Sequence, residues 1–236
     1  MRHAVLFDLG GTLDGDGEYW LDRFARVYAA AGLTVPKAVL RDAFDEAERR
    51  AAIDETIATA GLSAMVERHV GWQLERLSKS DAGLCRDISA RFAGLMLDTA
   101  AASRKLLSTL SARGLRLGVV SNGCGNVEVL CKDLGFSPFL SAIVDSRRVG
   151  LFKPDPAIFV HAAERLGLTP SSILMVGDSL DRDMAPAKSI GMQTAWLEGP
   201  RERPCPDARL VDVRLRTLAD LPAALGRWAA AARTVA

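Results

Sequence analysis

The sequence predicts an α/β fold: a doubly wound, mostly parallel sheet (a Rossmann-like core) with an inserted all-helical segment. Three observations carry that expectation. The runs AVLFD (residues 4–8), LRLGVVSN (115–122) and ILMVGD (173–178) are short, almost continuously apolar and end in polar residues, as strands buried on both faces do. From Leu115 onward, strand-like and helix-like segments alternate, the signature of βαβ units. Between the first run and that series, only helical periodicity occurs.

Taken in order, the first strand is 4–8. Trp20, Leu21, Phe24, Val27 and Tyr28 then fall on one helical face, and Val39, Leu40, Phe44 and Ala47 on another after Pro36, a good first-turn residue. Met65, Val66, Val70, Leu74 and Leu77 make a third stripe, and Phe92, Leu95 and Met96 a fourth. A helix over about 99–113 stops at Gly114, one over 125–134 at Gly135 and one over 156–166 at Gly167, each a suitable C-terminal cap. Further strands are expected at 141–145 and 192–197, with a weaker edge strand at 208–212. The segment 181–190 reads as a helix that Pro186 disturbs, and 218 to about 232 as a final helix. The expected sheet has five or six strands. The expected domains are a core of residues 1–14 and 98–236 and a helical insert of 15–97.

Composition narrows the function. Of 236 residues, 49% are hydrophobic and 25% charged, with a net charge of +1. That is a globular composition with a core of useful size, and it offers nucleic acid or a membrane surface no electrostatic attraction. Cys85, Cys124, Cys131 and Cys205 are scattered without a metal-binding spacing, as free thiols in a reducing compartment would be. The start MRHAVLF lacks the apolar region of a signal peptide, and no run approaches the roughly 20 apolar residues that span a bilayer. A cytoplasmic protein, monomeric or homodimeric, is expected.

The chemistry gathers at strand ends. In open parallel sheets, ligands bind beyond the carboxyl ends of the strands. Asp8, Ser121, Asn122 and Asp178 fall there, with Asp183 a turn later and Lys153 on a proline-stiffened loop in GLFKPDPAIF. Singly, each has a plain explanation: aspartate and Ser-Asn pairs are common in turns, and lysines are usually solvated. Jointly, at three strand ends, converging acids call for a hard divalent cation such as Mg²⁺. Ser121, Asn122 and Lys153 would meet an oxyanion. Such a set suits phosphoryl transfer, which needs positioning and charge neutralisation.

With these residues the chain resembles the haloacid dehalogenase-like (HAD) superfamily, in the branch with a helical cap inserted after the first motif. FDLGGTLD, VVSNG, GLFKPDPAIF and MVGDSLDRDMAPAKSIGM resemble its four motifs in order. The resemblance implies that Asp8 is nucleophile and metal ligand and that Lys153 is catalytic. It gives Ser121, Asn122 and Lys153 the phosphate. It gives Mg²⁺ to Asp8, the Gly10 carbonyl, Asp178 and Asp183, and implies a small phosphorylated substrate.

Gly10 departs from that pattern. Most phosphatases of the superfamily carry an aspartate there as general acid and base, whose help is worth roughly 10²–10⁴-fold. Four readings follow. The chain is a phosphatase with a substitute, such as Asp14 or Asp16, or with a substrate whose leaving group needs little protonation. It performs dehalogenase- or phosphonatase-like hydrolysis. It binds a phosphorylated ligand or partner with little turnover. Or it is a scaffold. The acids of GDSLDRD argue against metal-free dehalogenation, and a phosphonatase amine is wanting, because Lys79 sits in a polar loop and Lys37 starts the second insert helix. Trp20 is expected in the insert core. Tyr19, Arg23 and Arg26 are candidates for the pocket or hinge side, and Arg49-Arg50 and Arg68-His69 are read as exposed.

Overall fold

The computed structural model describes residues 4–200 and 202–226. Among them is one six-stranded parallel sheet: β1 (Ala4–Phe7), β2 (Arg116–Ser121), β3 (Ala142–Asp145), β4 (Ile173–Gly177), β5 (Gln193–Leu197) and β6 (Val213–Leu215). The spatial order is β3-β2-β1-β4-β5-β6. Alternation along each strand divides the apolar side chains between two cores. Val5, Phe7, Val119 and Val176 face one side, and Ala4, Leu6, Val120 and Met175 face the other. All four residues of β1 are fully buried, each large one worth about 1.5–3 kcal/mol. That is why the run carries no polar residue before Asp8.

Helices α1 (Trp20–Ala30), α2 (Lys37–Ile53), α3 (Leu62–Arg76) and the first half of α4 (Ala82–Ala112) form the insert. The core completes itself with α5 (Val127–Asp133), α6 (Ser146–Val149), α7 (Ala157–Leu166) and α8 (Ala185–Ser189). The stripe at Phe92–Met96 and the helix expected over 99–113 are one helix, α4, and the boundary expected at residue 97/98 lies inside it. Nothing between Leu95 and Ala112 breaks a helix; neither glycine nor proline occurs there. The insert's apolar face is continuous with the sheet core: Phe24, Phe44, Val70 and Phe92 belong to the same buried cluster as Val5 and Phe7.

Two element expectations need correction. The weak strand at 208–212 is displaced to β6, because the Asp207 side chain caps a 3-10 turn over Ala208–Leu210. The disturbed helix at 181–190 is an irregular turn, Leu180–Met184, followed by α8, where Pro186 occupies the tolerated first turn. Of the final helix, residues 221–226 are helical after a capped turn, Leu218–Asp220; its expected remainder lies outside the described residues. No helix among the described residues is long and apolar enough to cross a membrane.

Candidate active site

Register brings the strand-end residues together. Phe7 pairs with Val119 on β2 and Val176 on β4, and the Asp8 amide donates to the Val176 carbonyl at 2.9 Å. Asp8 therefore leaves the sheet between the ends of its two central neighbours, one residue short of the level of Ser121 and Asp178. The chain then coils through Leu9–Leu13, with Gly10 and Gly11 outside helical geometry.

Lys153 joins the acids. Its ammonium donates to Asp8 Oδ1 and Asp183 Oδ1, both at 2.7 Å. Burial pushes the Lys153 pKa down, but Asp183 and Asp8 outweigh it and hold the net value above normal. Burial raises the Asp8 carboxyl; Lys153 opposes this and Asp183 adds to it. Asp8, Asp178 and Asp183 each turn an oxygen to one spot, the three atoms lying within 4.8 Å of one another. Asp183 Oδ2 also takes the Ser179 amide at 3.1 Å. Asp178 differs. Its carbonyl accepts from Trp196 Nε1 and Arg203 Nη2, yet its carboxylate takes no hydrogen bond from the described residues. Burial, then Asp8 and Asp183, push its pKa up to about 7. A buried carboxylate without a donor, beside two others, is a site that lacks positive charge. An all-oxygen set of this kind fits a hard divalent cation.

The anion side is built by a two-way clamp. Asn122 Nδ2 donates to the Lys153 carbonyl at 2.9 Å, and Asn122 Oδ1 accepts the Lys153 amide at 2.8 Å. The Asn122 side chain therefore fixes the Lys153 loop, and both of its polar atoms, expected to meet a phosphate, are engaged with the Lys153 main chain. Ser121 is buried and lines the cavity with no side-chain hydrogen bond among the described residues. Asp145, ending β3, accepts the Gly125, Val127 and Arg147 amides and so holds the turn after Ser121-Asn122-Gly123. The sequence shows it as a third strand ending in an acid; its work is capping.

A cavity of about 350 Å³ opens over this rim, bounded by Asp8, Gly10, Ser121 and Lys153 below and by Trp20, Phe44 and His69 from the insert. Trp20 both packs and lines: its ring meets Phe92 edge-on at 5.3 Å, and its Nε1 donates to Asp14 Oδ2 at 3.0 Å. Arg23 is buried against Glu18 and donates to the Asp14 carbonyl at 2.8 Å, whereas Arg26 is exposed. His69, expected on an exposed face, is buried instead. Gln73 Nε2 sits 2.8 Å from its Nδ1 and Glu48 Oε1 2.9 Å from its Nε2, which puts the ring proton on Nε2. Its spacing from Met65 and Gln73 gave a signal, since Met65 lies four residues earlier on the same apolar stripe. Lys37 and Lys79 do not line the cavity.

The two candidate substitutes at Gly10 separate. Asp16 accepts from Thr217 Oγ1 and the Leu218 amide, so it anchors the C-terminal turn. Asp14 is fully buried and lines the cavity. Burial lifts its pKa to about 7 against the opposing Arg23 charge and the Gly11 and Trp20 donors.

A family model described as haloacid dehalogenase-like hydrolase matches residues 3–191. The glyceraldehyde 3-phosphate phosphatase of Methanocaldococcus jannaschii is 34% identical over 119 residues, 50% of this chain and 52% of that protein. The chain thus spans about half the length of that relative. The phosphoglycolate phosphatase of Rhodospirillum rubrum is 31% identical over 81% of this chain and 78% of its own. Among solved structures, a 2-haloacid dehalogenase from Pseudomonas syringae pv. Tomato DC3000 superposes with a TM-score of 0.53 at 25% identity, covering 97% of this chain and 100% of that one.

Proposed function

Because the chain belongs to the haloacid dehalogenase-like hydrolases, we propose that it is a Mg²⁺-dependent phosphatase of a small phosphorylated metabolite, working through an aspartyl phosphate on Asp8. The observation that carries this reading is the donor-free Asp178 carboxylate beside the Lys153-bridged pair Asp8 and Asp183. The phosphatase names of two relatives agree with it.

In this reading Asp8, the Gly10 carbonyl and Asp178 hold the metal, with Asp183 supporting it and orienting Lys153. Bound there, Mg²⁺ offsets the charge of the acids and of the phosphate oxygens. Lys153, Ser121 Oγ and the backbone beyond it hold the phosphoryl group. Asp8 Oδ attacks phosphorus as the ester bond breaks, and water later cleaves the new Asp8–phosphorus bond to release inorganic phosphate. The insert covers the rim and limits water there. Residues 15–97 serve as its cap, and they choose the substrate.

A screen of phosphorylated metabolites with and without Mg²⁺ tests the proposal. Phosphate release should require the metal and disappear in Asp8→Asn. Halide release from a 2-haloacid without metal, and no phosphate release from any ester, would overturn it.

A further inference from the structure

We infer that Asp14 carries the proton that Gly10 cannot, as general acid for the leaving oxygen and then general base for the attacking water. The inference rests on the phosphatase reading above. Its grounds are geometric. Asp14 Oδ1 accepts the Gly11 amide at 2.7 Å, and Gly11 N is bonded to the Gly10 carbonyl carbon. Standard bond lengths then put that oxygen within about 6 Å of Gly10 Cα. Nothing occupies the place of a Gly10 side chain, where a built Cβ finds no atom within 4 Å. Asp14, Gly10 and Asp8 are all among the residues that line one cavity.

The other acids of that cavity are otherwise engaged. Asp8 and Asp183 hold Lys153, Glu48 holds His69, and Asp45 is exposed at the mouth on α2. Asp14 is the remaining buried one among the lining residues. Gly11 and Trp20 occupy one lone pair on each carboxyl oxygen, and each oxygen keeps a second position for a proton. Trp20 holds the carboxyl itself and Arg23 the Asp14 main-chain carbonyl. Burial keeps its proton available near neutrality, where a group serves both as acid and as base.

The steps balance. As Asp8 Oδ bonds to phosphorus and the ester P–O bond breaks, Asp14 gives its proton to the departing oxygen. The resulting carboxylate takes a proton from water as that water's oxygen attacks phosphorus. The Asp8–phosphorus bond then breaks, leaving phosphate and a protonated Asp14.

The test uses the full chain with Mg²⁺ on 4-nitrophenyl, phenyl and ethyl phosphate. In Asp14→Asn, kcat/KM should fall by roughly 10²–10⁴-fold on ethyl phosphate and by less than about tenfold on 4-nitrophenyl phosphate, whose leaving group needs little protonation. Phosphoenzyme should accumulate on Asp8. A purely structural role predicts an equal loss on all three esters and no trapped phosphoenzyme, and that result overturns the inference. The unaltered chain gives an answer that does not depend on the folding of Asp14→Asn. Its kcat/KM should fall by less than about tenfold from 4-nitrophenyl to ethyl phosphate, because the proton is supplied; a fall of roughly 10²-fold or more means that nothing supplies it. If the unaltered chain releases phosphate from no ester, the phosphatase reading fails first and the inference falls with it.

Discussion

Gly10 and Gly11 are adjacent and identical in type, yet alanine should have opposite effects at the two. Gly10 has φ −67° and ψ 124°, an ordinary extended conformation that alanine shares, and the space around its side-chain position is open. Alanine there restricts the unfolded chain without straining the folded one, which stabilises by about 0.4–1 kcal/mol. Gly11 has φ +77°, and a Cβ there would lie 3.0 Å from Asp178 Oδ2. The left-handed backbone alone costs roughly 1–2 kcal/mol, before Asp178 is displaced. For a domain of this size, 1 kcal/mol moves Tm by about 2–4 °C. Thermal melts should therefore show Gly10→Ala about 1–4 °C above the unaltered chain and Gly11→Ala at least about 2 °C below it. Isothermal titration with Mg²⁺ should show weaker binding in Gly11→Ala and unchanged binding in Gly10→Ala. A Gly10→Ala protein that melts below the unaltered chain, or binds the metal less well, would refute the open-space reading of that position.

Two further outcomes follow from named contacts. The Asp14 carboxyl has a folded pKa of about 7 against an ordinary 3.8, so the folded chain holds its proton longer than the unfolded chain does. Its contribution to stability is then greatest below about pH 4 and is lost as pH rises towards 7, by at most about 4 kcal/mol. Denaturant titrations of the metal-free protein at pH 4 to 8 should show that loss, and Asp14→Asn should show a shallower one; identical slopes would contradict the buried, protonated state. Asn122→Ala removes both hydrogen bonds to the Lys153 main chain. It should raise KM for a phosphate ester and cost about 1–3 kcal/mol, measured by steady-state kinetics and chemical unfolding. An unchanged KM would mean that Lys153 needs no such clamp.

Much of the sheet and rim was legible because burial on both faces leaves no room for polar residues. AVLF, LGVV and ILMV each become a strand for that reason, and the first polar residue after each marks the rim. Ser121, Lys153, Asp178 and Asp183 were readable as a set, since only their joint placement departs from ordinary turn chemistry. Other features were hidden for physical reasons. His69 lies on an apolar stripe, and periodicity cannot separate a core face from a cavity wall that continues it. Asn122 carries an amide that suits a phosphate or a backbone equally well, and only the position of the Lys153 loop decides between them. The strand expected over 208–212 lost out to local capping by Asp207, a competition that a hydrophobic pattern does not register. The continuity of α4 was in principle visible, because no breaker residue separates its halves.

That unbroken helix has a mechanical consequence. A cover joined to its base by two loops pivots cheaply. Here one junction is the middle of a 31-residue helix, a rod about 46 Å long. Ser103 Oγ ties this rod to the Leu13 carbonyl at 2.7 Å. Tilting the insert means bending the rod or breaking its hydrogen bonds. Arg147 and Arg148 add struts on the far side, reaching the Asp54 and Ala58 carbonyls. The ceiling of the cavity is braced at both ends.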